Sequence, residues 1–194
     1  VAARKARMLL KAGARPVVIT AAAQGVEGCE ELEAMAARGE VDLNRRPFTL
    51  ADLGGCVLAF VATDHQDRQV RVADAARGAG IPVNVVDNKQ LCTFIIPAIV
   101  DRDPITVAIS SAGTAPVLAR SIRERIEVML PPKLGKLARF AERFRGAVMA
   151  NFQSGEARRR FWEDFFSGPV AASVLEGDEI RAGERMLAAV NRPD

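Results

Sequence analysis

Residues 81–120 read IPVNVVDNKQLCTFIIPAIVDRDPITVAISSAGTAPVLAR. The run over 83–86 is a short apolar strand, and it ends on a single carboxylate, Asp87. Two further β-rich runs follow at 94–100 and 105–110, joined by Asp101, Arg102, Asp103 and Pro104. That junction forms turns readily and is too short to hold a crossover helix, so the two runs pair as antiparallel neighbours or exchange with a second subunit. The stretch closes on small residues and opens a helix, with Thr114 as its expected N-cap and Pro116 in its first turn. A lone carboxylate at a strand end, followed by a change of rhythm, is a layout suited to a site.

Upstream of this stretch, helical and strand patterns alternate. The spacing predicts a helix over 2–12 with Met8, Leu9 and Leu10 on its buried side and Gly13 as its stop. Strands are expected at 16–20, 41–43 and 56–62, and helices at 29–38 and 67–79. The 56–62 run, CVLAFVA, is continuously apolar, as a strand buried on both faces of a parallel sheet would be. Alternation at this spacing predicts an α/β fold, a Rossmann-like doubly wound parallel sheet. A small β segment and a helical region follow it. Downstream, Val117, Leu118, Ile122, Ile126 and Met129 form one apolar helical stripe, ended by Pro131 and Pro132. Leu134, Leu137, Ala141, Phe144 and Val148 form another, and Phe161, Trp162, Phe165 and Phe166 read as core. The expected organisation is a nucleotide-binding domain over 1–93, a dimerisation segment over 94–131, and a helical domain with linker over 132–194.

Composition narrows the function classes. With 194 residues, 49% of them hydrophobic, the chain can bury a real core. No apolar run approaches the roughly 20 residues that span a bilayer, so no membrane partner is expected and the cytoplasm is the default location. Cys29, Cys56 and Cys92 are widely spaced without a CxxC pair, and there is one histidine, His65, and no tyrosine. Neither a disulfide framework nor a protein-held metal follows from that set. The net charge is +3, and the arginine clusters at 120–125 and 158–160 read as solvated helix faces. Aromatics are few and not interleaved with the basic residues, so no nucleic-acid partner is expected.

In doubly wound sheets ligands bind beyond the carboxyl ends of the strands. Those positions are Ala21 and Ala22, then Thr63, Asp64 and His65, then Asp87 and Asn88. A dinucleotide site also needs a glycine turn ahead of its first helix, and the chain begins at that helix, so it reads as cropped at Val1. No acidic residue closes the second strand either. Motif alone therefore leaves the nucleotide reading open.

A resemblance goes further. VAARKARMLLKAGA, ATD at 62–64, NVVD at 84–87, FIIPAIVDRDP, VAISSAGTAPVLAR and RRRFWEDFF together resemble the N-terminal half of siroheme synthases and its single-module relatives. The resemblance implies NAD-dependent oxidation of precorrin-2 to sirohydrochlorin, with Fe2+ as the substrate then inserted to give siroheme. It places Val1 beside a Gly-Gly-Gly turn and assigns Val1, Ala21, Ala22, Thr63 and Asp64 to the NAD site. Asp87 falls on the family's essential aspartate. A homodimer is implied through the 94–130 region, and the tail resembles a linker to a uroporphyrinogen-III methyltransferase half; whether that half is fused here, and whether cobalt replaces iron, stay open.

The residues suit that chemistry. Oxidation moves a hydride to the nicotinamide and releases a proton, so a carboxylate can serve as general base. The same group can take pyrrole protons as iron enters, without a dedicated metal site. A polycarboxylate tetrapyrrole calls for cations and donors, for which Ser110, Ser111, Thr114 and Arg120 are the candidates. There are departures: the family usually shows SSGGTSPVLAR where this chain has Ala112 and Ala115, and a second acid where His65 stands. Ser111 matches a serine phosphorylated in one branch. The competing readings are an NAD-binding sensor without catalysis and a basic nucleic-acid scaffold.

Overall fold

The computed structural model describes residues 1–21 and 29–191. The chain divides into two compact units, Val1–Ile96 and Pro97–Asp194.

The first unit is built from β-α-β pieces. Helix α1 (Ala2–Lys11) is followed by β1 (Val17–Thr20), α2 (Glu30–Ala37) and β2 (Asp42–Arg45), and β1 pairs parallel with β2. Then come β3 (Ala59–Val61), α3 (Gln66–Gly78) and β4 (Val83–Val85), with β3 parallel to β4. Among the described residues the parallel strands form two separate two-stranded ladders, β1–β2 and β3–β4. Each of the three helices ends in the same way: Gly13, Gly39 and Gly80 take positive φ, and the next residue's N–H returns to a carbonyl of the last turn. Glycine has no Cβ to oppose that conformation, so the chain reverses tightly into the next strand.

Two small cores result. Ala3, Ala6, Leu32, Met35 and Val41 pack α1 and α2 on the first ladder, where alanines let α1 approach closely. Val61, Ala73, Ala76, Ile81, Val83 and Val85 pack α3 on the second. The Lys5 ammonium lies 5.7 Å from the centre of the Phe60 ring, joining α1 to β3 by a cation–π contact.

Two strand expectations need correction. The 56–62 run yields only Ala59–Val61 as strand. A 3₁₀ turn at Leu50–Leu53, closed by a reciprocal Thr49–Asp52 capping box, is followed by Gly55 at φ 76°, and the Cys56 thiol donates to the Asp52 carbonyl at 3.3 Å. The apolar residues at 56–58 are thus spent on leaving a turn, and Val57 is exposed. Likewise the 94–100 run begins as strand only at Ala98. Thr93 is bonded to Val83 through both its backbone N–H and its hydroxyl, and the Phe94 carbonyl accepts from Asn84 at 3.0 Å, so this part is tied to β4.

The second unit opens with an antiparallel hairpin, β5 (Ala98–Arg102) and β6 (Ile105–Ile109), in register from Ala98↔Ile109 to Arg102↔Ile105. Helix α4 (Pro116–Met129) packs on it. The Arg102 guanidinium donates to the carbonyls of Glu127 and Leu130 and to the Glu127 carboxylate, clamping the end of α4 where carbonyls lack helical partners. The rest is helical: α5 (Leu134–Asn151), α6 (Gly155–Ser167), α7 (Pro169–Glu176) and α8 (Glu179–Val190). Leu137, Phe140, Val148, Phe165, Val174 and Met186 form its core, with Phe161 and Trp162 packed alongside. Arg159 and Arg160 lie on a solvated face, pairing with Glu163 and Glu156, whereas Arg158, expected there too, is half-buried and donates to the carbonyls of Phe152 and Gln153 at 2.9 and 3.2 Å.

Candidate functional site

The candidate residues of the first unit gather beyond the carboxyl ends of its strands. Val1 caps α1 without a side-chain bond, and no acidic residue lies in the first turn. The leading N–H groups of a helix have no internal partners and carry partial positive charge, so this end suits an anion such as a pyrophosphate. Ala21 is exposed directly after β1, and Ala22 lies outside the described residues. Thr63 and Asp64 follow β3, with the Thr63 hydroxyl accepting from the His65 N–H at 3.4 Å. His65 is exposed at the N-cap of α3 and makes no side-chain cap bond.

Asp87 sits two residues past β4 with φ at 58°. Left-handed backbone costs a residue with a Cβ about 1 kcal/mol, and aspartate is one of the few that enter it at all. Its side chain is exposed and makes no hydrogen bond among the described residues. Lys5, one turn into α1, lies within electrostatic reach of it. Burial pushes the Lys5 ammonium below its ordinary pKa, Arg4 adds to the effect, and Cys92 and Asp87 oppose it. The opening helix and the strand-end carboxylate therefore face a common region.

The loop bearing Asp87 is held from two sides. The Asn88 amide donates to Gln69 Oε1 at 3.1 Å, and Gln69 Nε2 donates to the Thr63 carbonyl at 2.6 Å. Cys92 Sγ accepts from the Val85 N–H at 3.1 Å and lies 3.2 and 3.3 Å from the carbonyls of Val85 and Asn88. Sequence reasoning missed Lys5, Gln69 and Cys92. No spacing rule marks them: Lys5 and Gln69 act through contacts between separate elements, and Cys92 acts through a thiol folded back on its own loop. Among the described residues no cluster of three His, Cys, Asp or Glu side chains could hold a metal ion.

In the second unit the 110–114 turn leads into α4. Thr114 is not the N-cap; Ala115 occupies that place. The Thr114 hydroxyl instead donates to the Ser111 carbonyl at 2.5 Å, and the Ser111 hydroxyl accepts from the Ala115 N–H at 3.1 Å. Ser110 accepts from the Ala112 N–H at 3.1 Å. Neither serine O–H donates to a partner among the described residues. Arg120 is exposed and makes no ion pair among the described residues, whereas Arg123 is taken up by Glu127 at 2.9 Å. On the same helix Val117, Leu118, Val128 and Met129 are exposed.

A family model described as "Putative NAD(P)-binding" matches residues 1–98, one for the sirohaem biosynthesis protein central region matches 102–129, and one for the sirohaem synthase dimerisation region matches 133–190. A siroheme synthase of Stutzerimonas stutzeri is 47% identical over 188 residues, covering 97% of this chain and 39% of the relative. One from Methylobacillus flagellatus is 45% identical over 186 residues, covering 96% and 39%. The chain thus spans about two fifths of the length of these curated relatives. A solved structure named "SirC, precorrin-2 dehydrogenase" superposes with a TM-score of 0.63 at 20% identity, over 85% of this chain and 79% of that one, and shows the shared α/β fold. Taken with the three family models laid end to end, the chain belongs to the family of siroheme synthase N-terminal modules.

Proposed function

We propose that this chain catalyses the NAD-dependent oxidation of precorrin-2 to sirohydrochlorin, with Asp87 as general base. The observation that carries the reading is the exposed Asp87 carboxylate, held in left-handed backbone at a strand's carboxyl end and within electrostatic reach of the opening helix. The residues fit a dinucleotide: the uncapped start of α1 suits its pyrophosphate, and Ala21, Thr63 and Asp64 border the strand ends where its remainder would lie. NAD, when bound, supplies the hydride acceptor. Asp87 takes the proton that leaves the tetrapyrrole as the hydride departs, so two electrons and one proton leave with the hydride and one proton passes to the carboxylate. With no hydrogen bond to it among the described residues, both oxygens are available for that proton.

The same carboxylate would accept pyrrole protons as Fe2+ enters sirohydrochlorin, giving siroheme. In the second unit the free donors of Ser110 and Ser111, the start of α4 and the unpaired Arg120 would bind carboxylates of the tetrapyrrole. Thr114, turned inward onto Ser111, would support that turn. A homodimer is supported by the match to a dimerisation region and by the exposed stripe of Val117, Leu118, Val128 and Met129 on α4. A methyltransferase half in the full-length protein is supported by the greater length of the relatives, and three free thiols agree with a cytoplasmic setting.

Asp87→Asn tests the catalytic reading. Turnover of precorrin-2 should fall about 10²- to 10⁴-fold, the range for a lost general base. NAD affinity by calorimetry should stay within about threefold, since that carboxylate makes no bond the fold needs. An NAD sensor would be indifferent to the substitution. For the dimer, Leu118→Glu combined with Val128→Glu should convert it to a monomer in light scattering; an unchanged mass would remove α4 from the interface.

A further inference from the structure

We propose that Gln69 is a positioning residue for Asp87, fixing the loop after β3 to the loop after β4 by bridging Thr63 and Asn88. The inference rests on the reading of Asp87 as the base. In the β3–β4 ladder Val61 stands opposite Val85, the last pair of the register. One more backbone bond follows, from the Val86 N–H to the Val61 carbonyl at 2.9 Å; past it, among the described residues, the loops after β3 and β4 have no backbone bond to each other, and the chemistry is assigned to those loops. Gln69 fills that gap. It is the half-buried residue of the first turn of α3, while Gln66, Asp67, Arg68 and Val70 around it are exposed.

Its amide orientation is settled by chemistry. The Thr63 carbonyl can only accept, so the NH2 end must face it, at 2.6 Å. That turns the oxygen end to the Asn88 amide, which donates at 3.1 Å. Asn88 is the residue next to Asp87, and its own carbonyl is met by Cys92 Sγ at 3.3 Å. The residue after Asp87 is thus fixed through both its side chain and its backbone. This matters because the Asp87 carboxylate has no hydrogen bond of its own among the described residues. Its place is set by the backbone that carries it, and that backbone is left-handed, a conformation that costs a residue with a Cβ about 1 kcal/mol even though aspartate enters it more readily than most. Loosening the bridge would let Asp87 relax away from the productive geometry, and a misplacement of about 1 Å can cost about 10²-fold in rate.

The test uses the protein at its natural full length, with enzymatically prepared precorrin-2 and NAD. Gln69→Leu, Asn88→Ala, the double variant and Gln69→Glu are compared by kcat, KM for each substrate, NAD affinity and Tm. Gln69→Leu should lower kcat about 10- to 100-fold while KM for NAD moves less than about threefold, the pattern of an interaction felt in the transition state. The double variant should be no slower than the slower single one, because both break the same bond. Gln69→Glu carries the most specific readout. Ionised, its carboxylate cannot donate to the Thr63 carbonyl; protonated, it can, so its rate relative to wild type should recover as pH falls. A merely structural role would not produce that recovery.

Wild-type kcat in Gln69→Leu, additive losses in the double variant, or a pH-independent Gln69→Glu defect would each overturn the bridge. If Gln69→Leu fails to fold, Asn88→Ala breaks the same bond from its other end. Turnover that survives Asp87→Asn would instead sink the reading of Asp87, whatever the Gln69 variants do.

Discussion

Asp87 in the first unit and Ala112 in the second are the non-glycine residues with left-handed backbone among those described, at φ 58° and 49°. Their supports differ. Asp87 is held from a distance, by Gln69 on α3 acting through Asn88 and by Cys92 five residues on. Ala112 is held by its own neighbours, with the Ser110 hydroxyl accepting its N–H and Ser111 and Thr114 closing the rest of the turn. Their side chains differ too: one ends in an unbonded carboxylate, the other in a methyl group. An unfavourable backbone that carries a reactive group is retained for what the group does. The same backbone under a methyl has no such reason, and glycine would serve there at least as well.

Asp87→Gly is the largest break of that comparison. Removing the side chain should abolish precorrin-2 turnover to the same about 10²- to 10⁴-fold extent as Asp87→Asn. Stability should not fall, because glycine enters left-handed backbone freely and no hydrogen bond is lost. A stability–function trade at one residue would then be measured directly by pairing kinetics with thermal unfolding. A clear drop in Tm would mean that the carboxylate holds the fold, and the functional reading of its strain would be wrong.

Gly135 sharpens the comparison from the other side, as a glycine required by close approach. A Cβ there would stand 2.0 Å from the Asp103 carbonyl oxygen and 2.1 Å from that of Arg102. Both are backbone atoms of the β5–β6 turn, so neither can swing away as a flexible side chain would. Gly135→Ala should cost about 3 kcal/mol or more in denaturant unfolding, within the class of large overpacking effects. NAD affinity should be unchanged, since that site is assigned to the first unit. A loss under 1 kcal/mol would show that α5 can shift off the hairpin without penalty.

Much of this was legible in the sequence, and what was not has a common cause. The helices are where the periodicity put them, because apolar spacing and terminal glycines such as Gly13 are local signals. The antiparallel hairpin followed from a linker too short for a helix. The strands at 56–62 and 94–100 came out shorter than their apolar runs, since apolarity reports burial and not pairing: Cys56 closes a turn and Phe94 is tied to Asn84. Thr114 does not cap α4 because its hydroxyl turns back to donate to the Ser111 carbonyl and the helix begins one residue later, after Ala115. Asp87 was visible as a carboxylate closing an apolar strand. Its surroundings were not, because Lys5 and Gln69 come near only across elements that meet in the fold, and the Cys92 thiol is fixed by a loop conformation that no residue pattern announces.

Ala112→Gly is the smallest expected effect and the most direct check of the comparison. Left-handed backbone costs alanine about 1 kcal/mol relative to glycine. Against that, glycine adds conformational freedom to the unfolded chain, worth about 0.5 kcal/mol in the opposite direction. The balance predicts a net stabilisation of about 0.5 kcal/mol, a rise in Tm of about 1–2 °C for a chain of this size. The Ala112 N–H keeps its bond to Ser110 in either case, and the methyl group is exposed, so no packing is lost. Calorimetry on the wild type and the variant would resolve the shift, and turnover should stay within about twofold. If Ala112→Gly instead lowered Tm or slowed turnover, the turn would owe its geometry to the alanine, and Asp87 would no longer be the position where left-handed backbone is tied to function.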